Sequence, residues 1–126
     1  MSDINKLLSP LFLEEQEIRK LIELLFFSYR DFTFDSNIVL EKINFTRTHY
    51  RVIYFVGKQK KITIKELLKI LQITKQNLSR VLDQLVKNEY INMEIGYDKR
   101  SKNLTLTNKG FELEKKLSDI QIKKIK

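Results

Sequence analysis

The stretch "ITIKELLKILQITKQNLSRVLDQLVKNEYI", residues 62 to 91, constrains the fold more than any other part of the chain. Thr63 and Glu66 have capping-box spacing, and Ile64, Leu67, Leu68 and Leu71 follow at i, i+3, i+4 and i+7, which predicts a short helix from about Ile64 to near Leu71. Only "QIT" intervenes before Thr74, a second cap, opens a helix over about 75–88. There Leu78, Val81, Leu82, Leu85 and Val86 repeat the apolar spacing, with Gln76, Arg80, Asp83 and Lys87 on the opposite face and Asn77 and Gln84 beside them. Two short helices joined by about three residues have the geometry of a helix-turn-helix unit. The turn carries Gln72 where a glycine is common, and helical bundles also meet this spacing, so the continuation of the chain decides the reading.

"YINMEI" and "KNLTLT" alternate apolar and polar residues with a period of two around Gly96, so they read as antiparallel strands with residues 96 to 101 at the tip. That tip gathers Asp98, Lys99, Arg100 and Lys102, which by itself is equally the pattern of a solvated loop. Thr107 then caps a last helix in which Leu113, Leu117 and Ile120 form a seam. Helix, turn, helix and a two-stranded ribbon make a winged helix-turn-helix, a mainly α fold with a small β-wing.

Upstream, "LSPLFLEEQEIRKLIELLFFSYRDF" starts with Ser9 as a cap, Pro10 at the first helical position and Glu14, Glu15 and Glu17 near the positive end of the dipole. Leu11, Ile18, Leu21, Ile22, Leu25 and Tyr29 predict a long amphipathic helix to about Arg30. Leu24, Phe26 and Phe27 widen its apolar surface beyond one stripe, toward either a central core or a second subunit. Asp35 or Ser36 reads as the cap of a short helix through Ile43, and "FTRTHYRVIYFVGK" as a further helix closed by Gly57.

Composition narrows the chemistry. A chain of 126 residues with 42% hydrophobic residues suits one domain with a real core, and three glycines with one proline suit a helical one. There is no cysteine and only one histidine, His49, so a disulfide scaffold, a thiolate zinc site and a serine-type triad are not expected, nor is any cofactor or metal. With no phosphate-cradling glycine loop either, the reading is of a protein that is not an enzyme. No apolar run is long enough to span a bilayer and no basic-then-apolar leader is present, which leads us to expect a cytoplasmic protein without a membrane partner. The net charge of +8 is unevenly spread: residues 1 to 42 hold 5 Lys/Arg against 8 Asp/Glu, and residues 43 to 126 hold 19 against 8. The basic part is suited to phosphate backbones or anionic lipid.

At the wing the residues resemble the MarR-type transcription regulators, whose pattern of Asp, any residue, Arg, five residues, Leu-Thr, two residues and Gly is met by Asp98, Arg100, Leu106, Thr107 and Gly110. "FLEEQEIRKLIELLFFSYRDFT", "HYRVIYFVG" and "ITKQNLSRVL" are similar to a PetP-like branch of that family. The resemblance implies a homodimeric repressor or activator that binds double-stranded DNA at a pseudo-palindromic operator. It implies dimerisation helices at about 9–30 and 108–126, around a DNA-binding lobe at about 45–107. The second helix of the motif would lie in the major groove and wing residues 96–101 in the minor groove. Arg100 would be the minor-groove arginine, held by Asp98, with Lys99 and Lys102 on phosphates; Gln76, Asn77 and Arg80, with Thr74, Lys75 and Ser79, would face bases and phosphates.

Those residue types suit the task. Arg and Gln can bond guanine and adenine edges bidentately, each such pair discriminating by roughly 1–3 kcal/mol, and an arginine is drawn to the strong negative potential of a narrow minor groove. "TRTHYR" places Arg47, His49 and Arg51 at alternate positions, where they would contact a small anionic effector of unknown identity, meet phosphate, start the helix or bridge subunits. The competing class is a winged-helix module that docks protein or RNA without reading DNA sequence.

Overall fold

The computed structural model describes residues 14–96 and 102–126. The predicted cap at Ser9, Pro10 and Leu11, and wing-tip residues Asp98, Lys99 and Arg100, lie outside the described residues. The elements are α1 (Glu15–Lys42), α2 (Arg47–Lys58), β1 (Ile62–Thr63), α3 (Ile64–Leu71), α4 (Lys75–Lys87), β2 (Ile91–Ile95), β3 (Lys102–Leu106) and α5 (Asn108–Ile125). The chain groups into two compact units, one ending at Phe34 and the other Asp35–Lys126, each taken by itself below.

α1 replaces the two helices expected at its position. No glycine or proline interrupts "RDFTFDSN", and Thr33 bonds back within the helix, its hydroxyl donating to the carbonyls of Tyr29 (2.8 Å) and Arg30 (3.3 Å). Asp35 and Ser36 therefore do not cap anything; Asp35 pairs with Lys124 at 3.1 Å instead, and Ser36 is buried. Within the first unit the helix carries the exposed ion pair Arg19–Glu15 and an edge-on contact between Phe26 and Phe27. Its apolar surface is open: Leu24, Leu25, Phe26, Tyr29 and Phe34 are each more than half exposed, Phe26 at 67%.

The second unit holds the core, in which α2 contributes Val52, Ile53 and Val56, α3 contributes Leu67, α4 contributes Leu78, Val81, Leu82 and Leu85, and α5 contributes Leu113 and Leu117. Ile62, Ile91 and Leu104 cover it from the sheet. The sheet has three antiparallel strands in the order β1-β3-β2, one more than the sequence suggested. β1 is two residues long and pairs Ile62 with Leu104 and Thr63 with Asn103, while β2 and β3 pair from Ile91↔Leu106 to Ile95↔Lys102. Gly57 does not close α2, which continues to Lys58; a Cβ there would meet only the tip of a flexible side chain, Leu106 Cδ1 at 2.7 Å. On α5, Leu113 and Leu117 face the core as expected, but Gln121 is buried next along the seam and Ile120 only partly so.

Candidate nucleic-acid interface

The helix-turn-helix forms as its sequence requires. Thr63 accepts the Glu66 amide at 3.1 Å at the start of α3, and Thr74 accepts the Asn77 amide at 3.1 Å at the start of α4. Between them Gln72 adopts the left-handed conformation (φ 53°, ψ 43°), in which its N–H bonds Leu68 O and ends α3. A glutamine does there what glycine does at less steric cost.

α4 turns its apolar stripe inward and leaves the other side to solvent. An open groove of about 890 Å³ runs along that side, lined by Thr74, Lys75, Gln76, Ser79, Arg80, Asp83 and Gln84. Five of the six expected contact residues on this helix thus share one surface. The sixth, Asn77, is half-buried and supports it from the side, its Oδ1 accepting Arg80 Nη2 at 2.9 Å. Thr74 Oγ1 is already engaged as the cap. Asp83 and Gln84, which the expected set left out, belong to the groove because they lie three and four residues beyond Arg80.

Both ends and the middle of α4 are anchored. Beyond its C-terminus Glu89 is left-handed (φ 65°) and turns the chain so that Tyr90 N–H bonds Leu85 O at 2.8 Å. The Leu-Thr-x-x-Gly segment closes on this turn. Thr107 donates its amide to Tyr90 O (3.1 Å) and its hydroxyl to Glu89 O (2.5 Å), and it also accepts Gly110 N–H at 3.0 Å as the cap of α5. Lys109 donates to Asn88 O at 2.9 Å with its ammonium 4.4 Å from the Tyr90 ring centroid. A Cβ at Gly110 would meet Tyr90 O at 2.1 Å, so only glycine lets the start of α5 approach so closely. This part of the wing signature is a structural joint between the recognition helix and α5.

The middle anchor is His49. It is buried (1% exposed), with its ring stacked on Phe45 at 4.4 Å and 5°. Nδ1 accepts Thr46 N–H at 3.0 Å, and Nε2 lies 2.5 Å from Gln84 Oε1. Burial pushes the imidazole below its ordinary pKa, the Gln84 bond opposes this, and the Arg80 charge adds to it.

Arg47, His49 and Arg51 are not brought together. Arg47 Nη1 donates to Ser36 Oγ at 2.8 Å, and its guanidinium lies 4.9 Å from the Tyr50 ring centroid. Because arginine offers only donors, Gln121 turns its amide oxygen to Arg47 Nη1 (3.0 Å) and its NH2 to Tyr50 Oη (3.0 Å). Tyr50 Oη in turn meets Ser118 Oγ at 2.8 Å, which donates to Glu114 at 2.8 Å, so a polar chain ties α2 to α5. Burial raises the Tyr50 hydroxyl, against the lowering effect of the Ser118 bond. Arg51 is exposed and touches Thr48. Lys102, at the start of β3, is the described wing cation and is exposed. Among the described residues no group of acidic or histidine side chains could hold a metal ion, and no helix is long and apolar enough to cross a membrane.

This architecture has known counterparts. The reduced form of MarR from E. coli superposes with a TM-score of 0.71 at 24% identity, covering 79% of this chain and 74% of that one. MepR of Staphylococcus aureus, a transcription regulator of the multidrug efflux pump MepA, gives 0.69 at 19% identity, covering 90% and 80%. A mutant MarR from E. coli complexed with operator DNA gives 0.65 at 24% identity over 82% and 75%. The family model described as MarR family matches residues 43–101, the segment from the loop before α2 to the wing. The HTH-type transcriptional regulator PetP of Rhodobacter capsulatus is 40% identical over 112 residues, which span 88% of this chain and 68% of PetP. With that identity over that length, on a three-stranded winged helix-turn-helix whose Leu-Thr-x-x-Gly joint locks the recognition helix, the chain belongs to the MarR family.

Proposed function

We propose that this protein is a transcriptional regulator that binds double-stranded DNA sequence-specifically as a homodimer on a pseudo-palindromic operator. α4 enters the major groove, and wing residues 96–101 reach the adjacent minor groove. The observation that carries this is the recognition face of α4: Lys75, Gln76, Ser79 and Arg80 stand exposed along one open groove, on a helix anchored by its cap, by His49 and by the joint at Thr107 and Gly110. Rigid placement of polar groups is what base readout needs, because ordering them on binding would cost affinity. Arg100 is the minor-groove reader and Asp98 its holder, with Lys99 and Lys102 on phosphates.

The dimer would form through the open apolar side chains of α1, such as Leu24, Phe26 and Phe34, and through Ile122 and Ile125 of α5. Burying each such side chain contributes about 1.5–3 kcal/mol. The protein acts by binding rather than catalysis, in the cytoplasm where its DNA lies. Any effector would act by changing the separation of the two recognition helices.

The test is a mobility-shift titration against an operator duplex and its scrambled counterpart at two salt concentrations. Sequence reading predicts that the operator keeps its preference as salt rises while overall affinity falls. Equal affinity for both duplexes, vanishing together with salt, would leave a basic winged-helix module that does not read sequence.

A further inference from the structure

The contact between His49 and Gln84 has a consequence for what this helix can read, and it rests on the DNA-binding reading above. We propose that His49 makes Gln84 a donor-presenting reader: the imidazole holds the amide oxygen inside the protein, so that Gln84 offers its NH2 group to the major groove and selects guanine or thymine over adenine.

Gln84 continues the stripe of Gln76 and Arg80 at steps of four and lines the same groove, so it stands where base edges are read. The tautomer of His49 follows from its neighbours. The Thr46 amide can only donate, and it lies 3.0 Å from Nδ1, so Nδ1 carries the lone pair. The single ring proton of neutral imidazole is then on Nε2, 2.5 Å from Gln84, and the atom that meets an N–H must be the amide oxygen. Phe45, stacked 5° from parallel, fixes the plane in which that proton points. A second ring proton would stand against the Thr46 N–H, and burial, with the Arg80 charge adding to it, further disfavours that proton, so one tautomer persists at neutral pH.

A glutamine that reads adenine uses both ends of its amide, the oxygen accepting from N6 and the NH2 donating to N7. Here the oxygen is drawn to a group only 1% exposed, and the NH2 is the end left for the groove. Guanine answers it with two acceptors, O6 and N7, and thymine with O4. Adenine leaves its N6 amino group unmatched, and cytosine presents a donor against a donor.

Two measurements test this. In the free protein, nitrogen–proton correlation of the imidazole reads the tautomer directly, and the single histidine makes its assignment unambiguous. The Nε2–H form is expected, and the Nδ1–H form would overturn the proposal. With a selected operator in hand, binding is titrated against duplexes changed one base pair at a time. At the position that Gln84→Met alters, the wild type is expected to favour guanine or thymine over adenine by roughly tenfold. Gln84→Glu, which puts an acceptor where the NH2 stood, should move the preference to cytosine, and His49→Phe should bring the guanine-to-adenine ratio to about one. An adenine preference in the wild type, or no position altered by Gln84→Met, overturns the proposal while leaving sequence-specific binding intact. A wild type that prefers no duplex removes the DNA reading and this inference together. If His49→Phe does not fold, the tautomer and Gln84→Glu still decide the matter.

Discussion

Gly110→Ala tests the joint that holds the recognition helix. The added Cβ would lie 2.1 Å from Tyr90 O, about 0.9 Å inside the 3.0 Å that real Cβ contacts respect, and the obstacle is backbone, with Leu106 Cδ2 closing the other side at 3.3 Å. Relief requires the start of α5 to back away from residues 88–90. That stretches three hydrogen bonds, from Thr107 N–H to Tyr90 O, from Thr107 Oγ1 to Glu89 O and from Lys109 to Asn88 O. At about 0.5–1.5 kcal/mol each their loss costs about 3 kcal/mol, and overpacking adds about 1–3 kcal/mol. Alanine returns about 1 kcal/mol of helix propensity. The net expectation is a loss of about 3–5 kcal/mol, or a Tm lower by roughly 10 °C or more for a chain of this size. Gly57→Ala is the internal control, because its close neighbour at 2.7 Å is the tip of the Leu106 side chain, which can rotate away. It should change stability by less than about 1 kcal/mol. Both are read by urea denaturation at one fixed protein concentration, since subunit association adds to apparent stability. Gly110→Ala unfolding within about 1 kcal/mol of Gly57→Ala would refute the argument from close approach.

Four shorter expectations stand beside it, the first three from the geometry of the described residues and the last from the wing reading. His49, whose folded pKa lies below the 6.5 of an unperturbed imidazole, is neutral in the fold while the unfolded chain takes up a proton as pH drops through 6.5. Its contribution is therefore complete above 6.5 and lost below it; the wild-type Tm should fall between pH 7.5 and pH 5.5 more steeply than that of His49→Gln, and equal slopes would contradict the buried neutral imidazole. Gln72→Gly relieves a left-handed residue at φ 53° and should stabilise by about 1 kcal/mol in thermal melts, whereas a loss would mean that the glutamine side chain is needed in the turn. Phe26→Asp should shift the sedimentation mass from dimer toward monomer, and an unchanged mass would place the interface elsewhere. Arg100→Ala should weaken operator binding by about fivefold to a hundredfold by mobility shift, an expectation from minor-groove recognition of roughly 1–3 kcal/mol, with little change in Tm.

Much of this fold could be read from local pattern. α3 and α4 were legible because their apolar residues recur at helical steps behind Thr63 and Thr74, and β2 and β3 because their alternation has a period of two. Features set by distant partners were not. β1 is two residues long and exists only through Leu104 and Asn103. The break expected near Asp35 rested on cap-forming residue types that in the structure bond elsewhere, Asp35 to Lys124 and Ser36 to Arg47. Of the site, the exposed face of α4 was legible, but the contact of Gln84 with His49, 35 residues away in sequence, was not, because local spacing carries no sign of it. Arg47, His49 and Arg51 take different environments because residues two apart on a helix point to nearly opposite sides, so His49 turns inward while Arg51 stays outside.

The most direct measurement of the central claim is selection of bound sequences from a random duplex library with the wild-type protein. A homodimer reading DNA through α4 and the wing predicts enrichment of an inverted repeat whose half-sites are centred about one helical turn, or a multiple of it, apart. A pool that stays random after repeated selection, or that converges on a single unsymmetrical site, would contradict the account.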